Sequence, residues 1–148
     1  ALDRAVACLA ARAHSKHEIE QKLLRVGYRP CTVEMVLYKL EREHLLNDAD
    51  FARQWVEARS GRKLGRSRIA QELRRKGIDA DEAEEALSAI GEDAQLADAI
   101  ALAEKTAARA KSDEDPRKTY QRIAAMLARR GFRWDITKEA LAQVLQAD

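Results

Sequence analysis

The sequence predicts an all-α fold of three tandem three-helix repeats stacked into an elongated, curved array. Three observations carry that expectation. Apolar residues recur at helical spacing along the whole chain, no alternating apolar run suggests a strand, and three glycines sit in one shared apolar frame. Only six Gly and two Pro punctuate the 148 residues, while Ala, Leu, Glu, Arg and Lys dominate, a composition that favours helices. A chain of this length can bury roughly two thirds of the surface that its unfolded form exposes.

The elements follow in order. After a leading helix, Ser15 and Glu18 have the S-x-x-E spacing of a capping box, and Ile19, Leu23 and Val26 form an apolar stripe that ends at Gly27. Pro30 suits the first turn of a helix that buries Val33, Val36, Leu37 and Leu40. Asn47 or Asp48 caps a fourth helix with Phe51, Trp55 and Val56, expected to run out near Gly65. A short helix with Ile69 and Leu73 stops at Gly77, and Asp79 and Glu82 restart the chain into Ala83, Ala86, Leu87 and Ile90. Gly91 precedes an alanine-rich helix with Leu96, Ile100, Ala103 and Ala107 on one face. Asp115 and Pro116 open a helix with Tyr120, Ile123, Ala124 and Leu127, Gly131 stops it, and a last helix carries Leu141, Val144 and Leu145. Nine helices and no strand are expected.

Aligning Gly27, Gly77 and Gly131, at spacings of 50 and 54 residues, superimposes Ile19, Ile69 and Ile123, then Leu23, Leu73 and Leu127. Beyond the glycine, Leu37, Leu87 and Leu141 coincide, as do Leu40, Ile90 and Val144. The expected repeats are 1–46, 47–90 and 91–148, one continuous array because a single three-helix unit has too small a core.

The formal net charge of +2 conceals segregation. Residues 59–76 carry Arg59, Arg62, Lys63, Arg66, Arg68, Arg74, Arg75 and Lys76 against Glu72 alone, and residues 79–104 carry nine acids and no Lys or Arg. Six basic and no acidic groups lie between Arg117 and Arg133. Such segregation either builds local fields or forms solvated faces that pair with each other. Cys8 and Cys31 make no disulfide framework and fit a reducing cytoplasm. No apolar stretch approaches the ~20 residues of a membrane span, and no signal-peptide core opens the chain. The chain starts at Ala1 without Met, so residues upstream are expected to be missing.

No catalytic constellation is present: neither G-x-x-x-x-G-K-[ST] nor G-x-G-x-x-G occurs, and His14 and His17 with the two cysteines lack zinc-ligand spacing. The expectation is no enzyme, no cofactor and no metal. Binding is the better-supported class. Arg59, Arg62, Lys63 and Arg66 share a face if their helix persists that far, and Lys118, Arg122 and Arg129 share another opposite Tyr120, Ile123, Ala124 and Leu127. With Arg68, Arg74, Arg75, Lys76 and Arg130 these are the candidate residues for binding phosphates or an acidic protein. The helix–Gly–helix pairs look like helix-turn-helix readers, but Asp79, Asp81, Glu82, Glu84 and Glu85 would repel phosphates from the middle pair. Phe51 and Trp55 read as core, whereas Phe132 and Trp134 suit either core or stacking on bases.

The middle repeat carries Leu46-Asn47-Asp48, Asp50-Phe51-Ala52, Arg59, Gly65, Ile69, Glu72-Leu73 and Lys76-Gly77-Ile78. The last carries Leu127-Ala128-Arg129-Arg130-Gly131-Phe132 and Trp134-Asp135, and the first Ser15, Glu18, Leu23 and Gly27. Together these resemble the RecX family of bacterial recombination regulators over nearly the whole chain. One departure is Lys63-Leu64-Gly65-Arg66, where the family often has a second glycine and a proline. The resemblance implies tandem three-helix repeats, binding to the RecA filament and inhibition of its strand exchange and ATP hydrolysis in repair, recombination and the SOS response. It brings no catalytic residues. The expected partner is therefore the RecA filament with the DNA phosphates inside it, bound by a cytoplasmic monomer. The alternative is a nucleic-acid-binding module that acts without RecA.

Overall fold

A computed structural model describes residues 1–145 of the chain. Among them are nine helices and no strand: α1 (Leu2–Ala11), α2 (Lys16–Val26), α3 (Pro30–Arg42), α4 (Asp48–Gly61), α5 (Arg66–Arg75), α6 (Ala80–Leu87), α7 (Glu92–Ala108), α8 (Pro116–Arg129) and α9 (Trp134–Leu145). The expected starts hold at atomic level. Ser15 accepts from the Glu18 amide while the Glu18 carboxylate accepts from the Ser15 amide, which closes the capping box of α2. Asn47 accepts from Asp50, Asp79 from Asp81 and Asp115 from Arg117, and Pro30 and Pro116 occupy first-turn positions.

The repeat is equally plain at the helix ends. Gly27, Gly77 and Gly131 all have positive φ, and the residue after each returns its amide to the aligned leucine: Tyr28 to Leu23, Ile78 to Leu73 and Phe132 to Leu127, at 3.1–3.2 Å. That bond satisfies a carbonyl which a helix end otherwise leaves without a partner. The isoleucines and leucines of the pattern (Ile19, Ile69, Ile123; Leu23, Leu73, Leu127; Leu37, Leu87, Leu141) are all buried.

Two compact units arise, Ala1–Trp55 with Glu72–Ala86, and Val56–Gln71 with the described chain from Leu87 onward. The first is built on Ala5, Ile19, Leu23, Val33, Val36, Leu37, Leu40 and Leu46. The second packs Ile123, Leu127, Phe132 and Leu141 against Ala99 and Ala103 of α7 and Ala140 of α9, whose small side chains let the helices approach closely.

Four expectations need correction. First, α4 ends at Gly61 rather than near Gly65, because Lys63 adopts φ +59 and Leu64 returns its amide to Arg59. Second, α6 stops at Leu87, so Ile90 lies in a turn and, like Val144, is only half-buried where Leu40 is fully buried. Third, Val26 is 51% exposed: α2 ends there, and the space around the next residue, Gly27, is open. Fourth, Tyr120 is exposed because the buried register of α8 runs Thr119, Ile123, Leu127, one position out of step with it.

Candidate functional site

Within each unit, the N-terminus of one repeat's middle helix meets the glycine turn of the next repeat. In the first unit the start of α2 meets the end of α5. The Ser15 hydroxyl donates to the Lys76 carbonyl at 2.6 Å, and a Cβ on Gly77 would lie 2.4 Å from that of His17. Glu18 then receives Lys76 Nζ at 2.9 Å and Arg12 at 3.1 Å. Burial works against its charge, but hydrogen bonds from Arg12, the Ser15 amide and Lys76 outweigh it and hold the carboxyl at about 2. Lys76 also lies 5.0 Å from the ring centre of Trp55, whose indole donates to Glu72 and stacks on Phe51. This joint is electrically balanced.

In the second unit the start of α5 meets the end of α8, and here backbone meets backbone. The Gly65 amide donates to the Arg130 carbonyl at 2.7 Å, and the Ser67 amide to the Gly131 carbonyl at 3.1 Å. The Arg66 amide donates to Gln95 Oε1 at 3.0 Å. Three first-turn amides of one helix are thus matched, two of them by the terminal carbonyls of another. Around this joint the guanidinium of Arg130 donates to the carbonyls of Arg62 and Lys63, and that of Arg68 to the carbonyl of Arg129. Basic residues 61 to 68 apart in sequence are therefore neighbours in the fold, the Arg68 and Arg130 side chains spanning the joint and Arg62, Lys63 and Arg129 meeting them through their carbonyls. Among the described residues no ion pair engages Arg62, Lys63, Arg129 or Arg130.

The structure brings together only part of the expected set. Arg62, Lys63, Arg68, Arg129 and Arg130 converge on the second joint, with Arg130 half-buried and the other four exposed. Arg59 and Arg66 belong to the same unit but are half-buried and already engaged. The shared helix face expected for Arg59, Arg62, Lys63 and Arg66 does not form, because the turn after Gly61 separates them. Lys118, Arg122 and Arg129 are exposed on one side of α8, but Arg122 is paired with Glu114. Arg74, Arg75 and Lys76 fall in the first unit, Lys76 committed to Glu18.

Sequence reasoning missed Gln95, a buried side chain that also reaches the Leu64 carbonyl at 3.5 Å, and the joint role of Ser15. Gln95 stands one residue before the expected apolar stripe of α7, which left it without an apolar signal. Phe132 is core, and Trp134, at the start of α9, is 60% exposed. His14 is buried, bonded through Nδ1 to the Arg12 carbonyl and through Nε2 to Lys22; burial, and then the charges of Arg12 and Lys22, lower its pKa. In a recess with Lys16 and Glu41, burial pushes up the carboxyls of Asp48 and Glu82, the latter also through the charges of Asp48 and Asp79. Among the described residues no group of three His, Cys, Asp or Glu side chains is placed to hold a metal ion, and no helix is long and apolar enough to cross a membrane.

Comparison with known proteins agrees with this architecture. Three family models match in order: the first three-helix domain of RecX at residues 1–40, the second at 47–87 and the third at 93–141. A regulatory protein RecX of Mycobacteroides abscessus is 38% identical over 141 residues, covering 90% of this chain and 68% of the relative. One from Prosthecochloris aestuarii is 36% identical over 146 residues, covering 98% and 93%. The crystal structure of RecX from Lactobacillus salivarius superposes with a TM-score of 0.88 at 26% identity, covering 99% of this chain and 95% of that one. With all three domain models matched in order and relatives of this similarity named regulatory proteins, the chain belongs to the RecX family.

Proposed function

We propose that this protein regulates the RecA recombinase by binding the RecA–DNA filament, and that it acts mostly as an inhibitor of strand exchange and ATP hydrolysis. One observation carries the reading: Arg62, Lys63, Arg68, Arg129 and Arg130, drawn from two distant segments, converge on a single joint. A cationic surface of that kind suits the phosphates of filament DNA or an acidic face of its protomers. The regulatory names of the relatives support a binding role. In this reading the protein is a cytoplasmic monomer that needs neither metal nor cofactor, and its three repeats 1–46, 47–90 and 91–148 act as one array.

The test compares binding to preformed RecA filaments with binding to bare DNA at one salt concentration, while RecA ATP hydrolysis is followed. Preference for the filament, with hydrolysis inhibited at far fewer than one chain per protomer, is the expected result. Equal affinity for bare DNA, with hydrolysis falling only as DNA is sequestered, would instead identify a nucleic-acid-binding module acting without RecA. The exposed ring of Trp134 beside Arg133 favours that second reading, since an aromatic next to a cation suits base stacking.

A further inference from the structure

The repeat supplies an internal comparison for every helix face. Counted from the aligned glycines, Met35 and Tyr38 on α3 occupy the positions of Glu85 and Ser88 in the second repeat and of Glu139 and Ala142 in the third. Cys31, also exposed, corresponds to Asp81 and Asp135. A face that is polar or charged throughout the second repeat, and carries two acids and one small alanine in the third, is therefore apolar in the first. Met35 is 73% and Tyr38 66% exposed, the two most exposed large apolar side chains among the described residues. They share a surface recess with Lys39, Arg42 and Glu43. Among the described residues no ion pair engages Lys39 or Arg42, and the second repeat has Ala89 and Glu92 in their places.

We propose that this face of α3 is a protein-docking surface, and that its occupant is an acidic segment of the RecA filament whose apolar side chains cover Met35 and Tyr38. The proposal rests on the filament reading above and adds a second binding surface, separate from the cationic joint. Charge selects the partner: an acidic segment is repelled by the α6 face with Asp81, Glu84 and Glu85, and drawn to a recess whose lining has two cations against one carboxylate. Methionine supplies an adaptable apolar surface and tyrosine a rigid one, the side-chain types that anchor protein interfaces. An exposed apolar pair beside only two cations makes nucleic acid, which is held through many phosphate contacts, the poorer fit.

The test is the double variant Met35→Glu with Tyr38→Ser, which copies the second repeat's residues into the first repeat's register. Its circular dichroism and melting should match wild type, its affinity for RecA filaments should fall about tenfold or more, and its affinity for bare DNA should not change. A second variant, Lys39→Glu with Arg42→Glu, should also weaken filament binding, most at low salt, and carries the test if the first fails to fold. Wild-type filament affinity in the folded variants overturns the proposal, as does an equal loss of bare-DNA binding, which would make nucleic acid the occupant. A wild-type dimer in sedimentation that the first variant dissolves overturns it in favour of a second copy of the chain. A wild-type chain that ignores filaments altogether removes the filament reading itself and this docking site with it.

Discussion

At Gly65 the chain has no room for a methyl group. A Cβ there would lie 2.2 Å from the carbonyl carbon of Gly131 and 2.3 Å from the amide nitrogen of Phe132. Both atoms are backbone and cannot rotate aside, so Gly65→Ala must pry apart the two amide–carbonyl bonds of the joint. A loss of about 3 kcal/mol or more is expected. Gly61 is the matched control, because its Cβ would meet open space at an ordinary φ. Gly61→Ala should be neutral or stabilise by up to about 1 kcal/mol, and denaturant melts of the pair read the contrast directly. Glu18 controls the other joint through its charge. A carboxyl held at about 2 in the fold and near 4.5 when unfolded binds fewer protons folded than unfolded. The stability it supplies is therefore complete above about pH 4.5 and lost as the pH falls toward 2. Glu18→Gln should lower stability at pH 7 and flatten this acid limb. Urea melts at neutral and acid pH in which variant and wild type keep the same pH slope would show that the carboxylate does not tie Arg12 and Lys76 into the joint.

Helices were legible wherever a side-chain signal marked both ends. Ser15 with Glu18, Asp115 with Pro116 and the stops at Gly27, Gly77 and Gly131 all told the truth, because caps and positive φ restrict residue type strongly. The end of α4 was not legible: Lys63 takes the left-handed turn that glycine usually marks, and the i, i+3, i+4, i+7 spacing of Arg59, Arg62, Lys63 and Arg66 runs straight across the break. The joints were hidden for another reason. Backbone-to-backbone bonds leave no mark on sequence beyond a small residue, and Ser15 read as a cap without disclosing that its hydroxyl also serves Lys76. How the candidate cations divide into those that meet at the second joint and those already committed was not legible, since that depends on which turns touch. The repeat register itself makes a prediction. Leu73 is fully buried like Leu23 and Leu127, so Leu73→Ala should destabilise by about 2–5 kcal/mol through lost transfer energy and a residual cavity. A variant that melts like wild type would mean the site collapses around the gap or that the leucine contributes little to the core.

Across the whole molecule the charge run at 59–76 is divided between the two units, and only its first part shares a unit with Arg129 and Arg130. The division yields a prediction about which cations act together. Arg130 is a poor probe, because its guanidinium ties down the carbonyls of Arg62 and Lys63, and its removal would disturb the joint as well as the field. Arg122 is already neutralised by Glu114. The triple reversal Arg62→Glu, Lys63→Glu and Arg129→Glu avoids both problems: all three side chains are exposed, and each change should alter stability by about 0.5 kcal/mol or less. It should weaken filament binding strongly at low salt and progressively less as salt rises, because screening removes what the charges contributed. Reversal of Arg74 and Arg75, exposed but in the other unit, should have the smaller effect. The salt slope then separates the partners. Each duplex phosphate that the variant no longer neutralises lowers the slope of log affinity against log salt by about 0.9. If the partner is instead an acidic face of the protein, the same reversal weakens binding to DNA-free RecA in parallel. A salt series with both variants, their folding checked by circular dichroism, measures these quantities together. Wild-type affinity and slope in the triple variant would reduce the converged cations to a solvated rim around the joint of Gly65 and Gly131 and leave filament binding to other surfaces.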